Sequence, residues 1–311
     1  MTPPAAKPPW LKVKAPSGAA YVELESRLRA LELVTVCREA RCPNLGECWS
    51  QGTATVMLLG HTCTRACRFC AVTTGHPRGG VDPREPDHVA RSAAQGGLRY
   101  VVLTMVNRDD LLDGGAAHVA RTVERLHAES PGLLVETLVG DFAGRLHDVD
   151  VVLASRPDVF AHNVEVVRSL TPTIRDARAG YERSLAVLAH ASRAGVARFV
   201  KSSLMVGIGE TDDEVFETLA DLAAAGVHVV TIGQYLRPTP RHAPVARYVE
   251  PERFREFADR GEALGLRYVA AGPLVRSSYH AAEAFLQAGC GEAPRAESGP
   301  ALVPASRLAR R

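Results

Sequence analysis

The sequence predicts an α/β fold: a partial (β/α)6 TIM-type barrel with an N-terminal extension and a short C-terminal extension. From residue 54 onward, apolar runs of strand length alternate with amphipathic stretches of helix length. Parallel neighbouring strands require helical crossovers, so this alternation indicates a parallel sheet. Six such units fall short of the eight that close a full barrel. A doubly wound open sheet is the alternative architecture.

Each predicted element follows from its residue pattern. The predicted strands are the apolar runs at 55–59, 100–106, 133–139, 159–161, 199–206 and 227–235. Amphipathic patterns predict helices at 88–95, 116–129, 181–194 and 212–225, and the stretch 281–288 is also helix-like. Thr211 and Glu214 form a capping box at the start of the helix at 212. In either architecture the site is expected at the carboxyl ends of the strands.

Composition limits the classes of function. The chain has 37 basic and 35 acidic residues, a net charge of +2, which gives no support to a nucleic-acid surface. No apolar run approaches the ~18 residues that a membrane span needs. The chain begins MTPPAAKPPW, without the charged start and apolar run of a secretory signal. A cytoplasmic protein with reduced thiols is therefore expected.

Six of the seven cysteines fall between residues 37 and 70, in two triplets. Cys37, Cys42 and Cys48 read C-x4-C-x5-C, and Cys63, Cys67 and Cys70 read C-x3-C-x2-C. Closely spaced thiols in a cytosolic protein indicate metal, and three thiolates hold a four-iron cluster with one iron left open. Two triplets therefore predict two clusters. Structural zinc is the alternative, although only Cys67 and Cys70 form the usual C-x2-C unit, with His61 as the nearest extra ligand.

The segment 61–70, HTCTRACRFC, resembles the signature of radical S-adenosylmethionine (SAM) enzymes. The resemblance implies that its three cysteines bind one 4Fe-4S cluster. In that superfamily an electron from the cluster cleaves SAM and releases a 5′-deoxyadenosyl radical, while the protein supplies position and exclusion of water. Arg65 and Arg68 are expected to offset the negative charge of the cluster or to help an acidic electron donor dock.

The segment 37–49, CREARCPNLGECW, resembles the auxiliary-cluster motif of the lipoyl synthase family. Other segments that resemble this family lie at 7–10, 108–115, 161–165, 231–238 and 276–279. Members insert two sulfur atoms, at C6 and C8, into an octanoyl chain, and the auxiliary 4Fe-4S cluster supplies the sulfur. The resemblance implies that four residues hold the auxiliary cluster here: Cys37, Cys42, Cys48 and Ser278. The remaining cysteine, Cys290, is predicted to be a bystander.

The same resemblances assign a set of residues to the SAM pocket and imply no catalytic side chain beyond the cluster ligands. The set comprises Gly114, Gly115, Asn163, Glu165, Lys201, Gly207 and Gly209. Asn163 and Glu165 alternate along a strand pattern, so they are expected to share a face. For the G-x-G at 207–209 the alternative is a tight turn. Lys201, the only lysine beyond residue 14, is expected to pair with a carboxylate, and the alternative is a surface lysine.

The resemblance also implies partners. The substrates are octanoylated lipoyl carrier domains, those of the E2 subunits of 2-oxoacid dehydrogenases and of the glycine cleavage H protein. A low-potential electron donor such as flavodoxin or ferredoxin is implied, with an iron–sulfur carrier that rebuilds the auxiliary cluster. A monomer without nucleic-acid or membrane partners is expected. The alternative functions are a methylthiotransferase-like enzyme with two clusters and a non-enzymatic metal-binding module.

The patterns divide the chain into four segments. Residues 1–53 are predicted to form an N-terminal arm and auxiliary-cluster extension, followed by the radical SAM partial barrel at 54–240. Residues 241–290 form a C-terminal extension that carries the sequence RSSY. Residues 291–311 are rich in Ala, Pro and Arg and lack periodicity, so a disordered tail is expected there.

Overall fold

The computed structural model describes residues 7–11, 26, 35, 44, 53–96, 98–278 and 281–289. The first cysteine triplet, Cys290 and the segment 291–311 lie outside the described residues, so the expectations for them stay predictions. Within the described ranges, no helix is long and apolar enough to cross a membrane.

Seven parallel strands form the central sheet, in the order in which the chain runs through them. They are β1 (Thr53–Leu58), β4 (Tyr100–Met105), β5 (Leu134–Leu138), β6 (Val159–Ala161), β7 (Phe199–Val206), β8 (Val229–Gln234) and β9 (Tyr268–Gly272). Two short strands, β2 (Thr62–Cys63) and β3 (Thr73–Thr74), pair in parallel within one loop. The strand order never reverses, whereas a doubly wound sheet reverses at its switch point. The fold is therefore the partial barrel that the sequence predicts.

The six predicted strands are all present, with ends that differ from the prediction by no more than two residues. The seventh strand, β9, has no counterpart in the prediction. Its residues, YVAAG, include small ones with a weak preference for strands. Pairing with β8 and burial of Val269 hold it in the sheet. The central sheet thus continues into the segment 241–290.

Helices occupy the connections between the strands. They are α1 (Glu85–Gly96), α2 (Ala116–Glu129), α3 (Leu146–Ala154), α4 (Thr171–Ile174), α5 (Tyr181–Ala194), α6 (Asp212–Ala224), α7 (Pro251–Ala263) and α8 (Ala281–Ala288). The predicted helices are confirmed, and so is the capping box of α6, where Thr211 and Glu214 bond each other at 2.8 and 3.3 Å. The prediction lacks three helices: α3, which is too apolar to show a clear period, α4, which has only four residues, and α7, which follows the last predicted strand.

Helix α8 covers the amino-terminal end of the barrel. Phe285 of α8 makes edge-to-face contacts with Phe199 and Tyr100, with ring centroids 5.2 and 6.1 Å apart. Tyr100 and Phe199 are the first residues of β4 and β7, so the helix covers the strand ends opposite the expected site. In the described structure the carboxyl-terminal end of the barrel is therefore the open one.

Lys201 lies inside the barrel in a buried ion pair. Its Nζ donates to both carboxylate oxygens of Glu136, at 2.8 and 3.0 Å, and the Tyr100 hydroxyl donates to Glu136 Oε2 at 2.7 Å. Burial, and then the charge of Glu136, raises the pKa of Tyr100 well above its ordinary value, so the phenol keeps the proton that it donates. The carboxylate partner expected for Lys201 is thus Glu136.

Replacing Lys201 by Met is expected to lower the free energy of unfolding by about 3–5 kcal/mol, because it leaves a buried carboxylate without its cation. Urea unfolding followed by circular dichroism measures the change. The double variant Lys201→Met, Glu136→Leu removes both charges, so it should recover a large part of the loss. Equal stability of Lys201→Met and the unmodified protein would contradict this role of the pair.

Candidate functional site

The cysteine loop between β1 and α1 lies at the carboxyl-terminal end of the barrel, and its three thiols are half-buried. Backbone hydrogen bonds join this loop to the segments that follow other strands. Thr64 N–H donates to the Asn107 carbonyl at 3.0 Å, and Arg68 N–H donates to the Ile174 carbonyl at 2.8 Å. The Ala243 N–H donates to the Arg68 carbonyl at 2.9 Å. These bonds hold the loop against three sides of the barrel opening.

Arg65, between Cys63 and Cys67, joins the loop to two carboxylates. Its Nε and Nη2 bind Asp109 at 3.0 and 2.8 Å, and Nη2 also binds Asp141 at 2.6 Å. Arg65 is 4% exposed and Asp141 is 0% exposed. Burial alone would raise the pKa of Asp141, but the hydrogen bond and charge of Arg65 outweigh it and hold that pKa below its ordinary value. The charge of Arg65 is therefore balanced by carboxylates inside the protein, and its expected effect on a cluster stays a prediction.

Replacing Arg65 by Lys is expected to lower the free energy of unfolding by about 1–3 kcal/mol, because an ammonium group cannot reproduce the bidentate bond to Asp109. Thermal unfolding measures the loss. Arg125 offers a matched control, since its side chain is 40% exposed and pairs with Asp87 between helices α2 and α1, outside the Arg65 network. Arg125→Lys should cost less than about 1 kcal/mol. A larger loss for Arg125→Lys than for Arg65→Lys would contradict the role of Arg65 as the buried anchor.

The thiols are placed in a way that suits metal binding. Asp176 N–H donates to Cys67 Sγ at 3.3 Å, and Arg65 N–H donates to Cys63 Sγ at 3.4 Å. Burial raises the pKa of Cys67, and it raises the pKa of Cys70 to about 12. A thiolate buried in this way requires a positive charge beside it, which a metal centre supplies when the sulfur binds to it.

Within the described ranges, no three His, Cys, Asp or Glu side chains are grouped so that they could hold a single metal ion. The choice between a cluster and structural zinc rests on the sequence spacing of Cys63, Cys67 and Cys70.

A cavity of about 500 Å³ opens at this end of the barrel, and the three thiols form part of its wall. Asn163 and Glu165 line it, together with apolar side chains from β1, β4, β5 and β7. Two exposed cations, Lys7 and Arg237, also belong to the lining. Cavities of this volume are typical of cofactor and substrate sites. We name it the main cavity.

Asn163 and Glu165 lie past the end of β6, on one side of the main cavity. Asn163 Nδ2 donates to Glu165 Oε1 at 3.1 Å. Glu165 has a φ of 68°, a left-handed conformation that costs a residue with a side chain on the order of 1–3 kcal/mol. Burial raises the pKa of Glu165, although the charge of Arg175 opposes the rise. The two residues share a face as expected, but a turn at Glu165 rather than strand alternation brings them together.

A second cavity, of about 110 Å³, is lined by Asn163 and Glu165 and also by Asp141 and Arg175. Two buried polar atoms of these residues, Asp141 Oδ2 and Arg175 Nε, have no hydrogen-bond partner. The Nη1 atom of Arg183 is 3.7 Å from Asp141 Oδ2, too far for such a bond. Because buried polar atoms are nearly always bonded, this pair indicates a ligand with its own donor and acceptor. The amino and carboxylate groups of SAM fit that requirement.

The glycine turn at 207–209 has a different partner from the one expected. The N–H groups of Gly207, Ile208 and Gly209 donate to the carboxylate of Glu210, at 2.7, 3.0 and 3.2 Å. The turn therefore binds a side chain of its own chain, which agrees with the tight-turn alternative. Neither glycine lines the two cavities.

Three other residues assigned to the SAM pocket are also absent from the lining of both cavities. Lys201 is held by Glu136 deeper in the barrel. Gly114 and Gly115 lead into α2, where Asp113 Oδ1 accepts from the Gly115 N–H at 2.9 Å. Of the seven assigned residues, the structure brings only Asn163 and Glu165 to the cavities.

The RSSY segment lies beside β8. A Cβ at Gly233 would stand 2.0 Å from the Val275 carbonyl oxygen, so only glycine permits this approach. Ser277 lines the main cavity, and Ser278 is half-buried next to it. The predictions do not include Gly233, although a glycine inside a strand pattern is a signal of close backbone approach.

Asn44 lies near the segment that precedes Ser278. In the sequence it stands between Cys42 and Cys48, and its side chain is 3% exposed. Its Nδ2 donates to the Leu274 carbonyl at 2.6 Å. Leu274 is four residues before the serine that the resemblance assigns to the auxiliary cluster.

Family models identify the class of protein. The model of the radical SAM superfamily matches residues 57–222, more than half of the chain. The described fold is also similar to that of two solved structures. The hydrogenase maturase HydG from Carboxydothermus hydrogenoformans has a TM-score of 0.55 at 13% identity, over 75% of this chain and 56% of that one. Methylornithine synthase has a TM-score of 0.53 at 11% identity, over 78% and 73%. The chain is a radical SAM protein.

Sequence similarity narrows the class to one family. The model of the N-terminal domain of lipoyl synthase matches residues 5–42. The lipoyl synthase of Sorangium cellulosum is 60% identical over 96% of this chain and 83% of the relative. That of Thermus thermophilus is 57% identical over 91% and 87%. The mitochondrial lipoyl synthase of Candida albicans is 52% identical over 92% and 75%. The chain belongs to the lipoyl synthase family.

Proposed function

We propose that the protein inserts two sulfur atoms, at C6 and C8, into an octanoyl chain carried on a lysine of a lipoyl carrier domain. As a member of the lipoyl synthase family it is a radical SAM sulfurtransferase that uses SAM and iron–sulfur clusters. The main cavity is the observation that carries the proposal, because its wall combines the C-x3-C-x2-C thiols with apolar strand residues. An alkyl chain fits such a cavity, whereas a non-enzymatic metal module needs none.

Cys63, Cys67 and Cys70 are the proposed ligands of the first cluster. When bound there, the cluster and SAM supply a 5′-deoxyadenosyl radical. Such a reagent is needed because the C–H bonds at C6 and C8 are unactivated, and no side chain acid or base removes their protons. The protein chain positions SAM and the octanoyl chain and excludes water from the site. The bonds of Arg65 hold the loop over the cavity, and apolar residues shield the alkyl chain.

The second cavity is the proposed place of the methionine end of SAM. Asp141 Oδ2 would accept from the amino group, and Arg175 Nε would donate to the carboxylate, since both atoms are buried without partners. Asn163 and Glu165 line both cavities, so we assign them to the ribose that links the two ends of SAM. The left-handed backbone at Glu165 is the kind of strain found at ligand sites.

The auxiliary cluster is assigned to Cys37, Cys42, Cys48 and Ser278 and supplies the sulfur. The bond between Asn44 and Leu274 supports this assignment, because Asn44 stands between Cys42 and Cys48 in the sequence and Leu274 is four residues before Ser278. An oxygen ligand leaves iron more easily than a thiolate does, which suits a cluster that is dismantled to release sulfur.

The proposed partners follow from this chemistry. The substrates are octanoylated carrier domains of E2 subunits and of the glycine cleavage H protein, and the reductant is a flavodoxin or ferredoxin. An iron–sulfur carrier rebuilds the auxiliary cluster after each turnover. The exposed Lys7 and Arg237 in the cavity lining suit partners with acidic surfaces. We further propose that the protein acts as a monomer in the cytoplasm.

A single-turnover experiment tests the function. The anaerobically reconstituted protein is mixed with SAM, dithionite and an octanoyl-lysyl peptide, and the quenched peptide is analysed by mass spectrometry. Gain of two sulfur atoms, together with release of 5′-deoxyadenosine, is the expected result. If 5′-deoxyadenosine is released while the peptide gains no sulfur, octanoyl-lysyl peptides are excluded as the substrate class. A methylthiotransferase-like enzyme would give that second result.

A further inference from the structure

All methionines beyond the first residue line the main cavity. The chain has four methionines in 311 residues, and three of them, Met57, Met105 and Met205, share the wall with the cysteine thiols. Methionine is otherwise absent from the core of the barrel and from its helices. This concentration of a rare residue in one place indicates a role in the cavity rather than general core filling.

The three side chains reach the cavity from different strands. Met57 on β1 is 2% exposed, whereas Met105 on β4 and Met205 on β7 are half-buried. The strands β4 and β7 are separated by β5 and β6, so Met105 and Met205 approach the cavity from different sides. Met205 is paired in register with Gly233, against which the Val275 carbonyl oxygen packs. The wall is thus built in part from unbranched side chains that come from three different strands.

The proposed reaction requires this wall to contact the octanoyl chain in two positions. C6 and C8 are two bonds apart on one chain, but the cysteine loop is fixed in place by Arg65 and its two carboxylates. The octanoyl chain must therefore shift along its own axis between the two insertions. A rigid, branched wall fits one position of the chain, whereas unbranched thioether side chains with three rotatable bonds adapt to both.

We propose that Met57, Met105 and Met205 form an adjustable wall that supports the octanoyl chain in two positions, one for insertion at C6 and one for insertion at C8. The inference rests on the proposed function and adds these three residues to it as positioning residues. It requires flexibility of the side chains rather than their sulfur atoms.

The double variant Met105→Leu, Met205→Leu tests the wall. Leu has a similar volume but a branched, stiffer side chain, so the fold should tolerate the exchange. In a single turnover, the ratio of octanoyl peptide with one sulfur to peptide with two sulfurs should rise about threefold to tenfold. The reason is that one of the two positions of the octanoyl chain would force an introduced leucine side chain off its preferred rotamer. The matched control is Leu126→Ile, which changes the shape of a buried side chain on α2, outside the lining of both cavities. That variant should keep the ratio of the unmodified protein.

Norleucine separates flexibility from sulfur chemistry. Protein produced with norleucine in place of methionine keeps the unbranched side chains at all three positions but has no thioether. Its product ratio should equal that of the unmodified protein, and a raised ratio would overturn the inference. Binding of hexanoyl, octanoyl and decanoyl peptides, followed by fluorescence anisotropy, gives a second readout. The double Leu variant should discriminate more sharply among the three lengths than the unmodified protein.

The outcomes distinguish this inference from the function on which it rests. If the unmodified protein adds no sulfur to the octanoyl peptide, the proposed function fails. If the unmodified protein adds two sulfurs but the double Leu variant gives the same product ratio and the same length discrimination, only the adjustable wall is wrong.

Discussion

Replacing Cys63, Cys67 and Cys70 together by Ala is expected to abolish the reductive cleavage of SAM. The three thiolates are the proposed ligands of the first cluster, and without them no iron is left in the main cavity to bind and reduce SAM. Release of 5′-deoxyadenosine in the presence of dithionite, measured by liquid chromatography, should fall to the level of a sample without protein. Iron content should fall from about eight to about four atoms per chain, by the count of two four-iron clusters.

The other triplet provides the matched comparison. Replacing Cys37, Cys42 and Cys48 by Ala should lower the iron content by the same amount but leave cleavage of SAM largely intact. Insertion of sulfur into the octanoyl peptide should disappear, because the proposed sulfur source is missing. If this second variant retains its first cluster and yet forms no 5′-deoxyadenosine, the division of labour between the clusters is wrong.

Replacing Ser278 by Ala is expected to leave iron binding in place but to abolish sulfur insertion. The reason is that the proposed oxygen ligand of the auxiliary cluster is lost, while the three cysteines still hold the cluster. Ser278→Cys should bind a cluster with a firmer fourth ligand and should also turn over poorly, because a thiolate is displaced less easily. Iron analysis and mass spectrometry of the quenched peptide measure the two effects separately.

Ser277 is the internal control, and the structure gives it a different place. Ser277 lines the main cavity, whereas Ser278 lies outside the lining. Because the resemblance assigns the iron ligand to Ser278, Ser277→Ala should change sulfur insertion much less than Ser278→Ala does. Equal activity of both variants and the unmodified protein would show that neither serine is a ligand. Selective loss at Ser277 would instead make that residue the ligand.

The barrel could be predicted from the sequence because its strands are continuous apolar runs, buried on both faces. Residues 100–106 show this most clearly, and the observed strand begins at the predicted residue and ends one residue earlier. The strand β9 could not be recognised, because YVAAG owes its strand conformation to pairing with β8 rather than to its own preference. The capping box of α6 involves only neighbouring residues, and for that reason it was predictable in full.

The site was predictable only where its residues are close in the sequence. The spacing of Cys63, Cys67 and Cys70 is visible in one loop, and so is the pair Asn163 and Glu165. The partners of long-range contacts leave no such pattern. Asn44 bonds Leu274 across 230 positions of the chain, and only the fold brings them together.

Local motifs did not reveal which partners the chain itself supplies. The glycines at 207 and 209 have the pattern of a cofactor turn, but the carboxylate of Glu210 already accepts from their N–H groups. Lys201 is held in the same manner by Glu136, 65 positions away. A motif shows which groups can form hydrogen bonds, whereas the fold determines which groups they bond.

The buried bonds of Arg65 also determine how much charge the anchor of the cysteine loop places beside it. Arg65, Arg178 and Arg183 are the three positive charges in this network, and Asp109, Asp141 and Asp176 are the three negative ones. These charges cancel, so the network adds little net electrostatic potential to its surroundings. Ion pairs therefore fix the loop in place without a net charge that would itself favour or oppose the arrival of an electron.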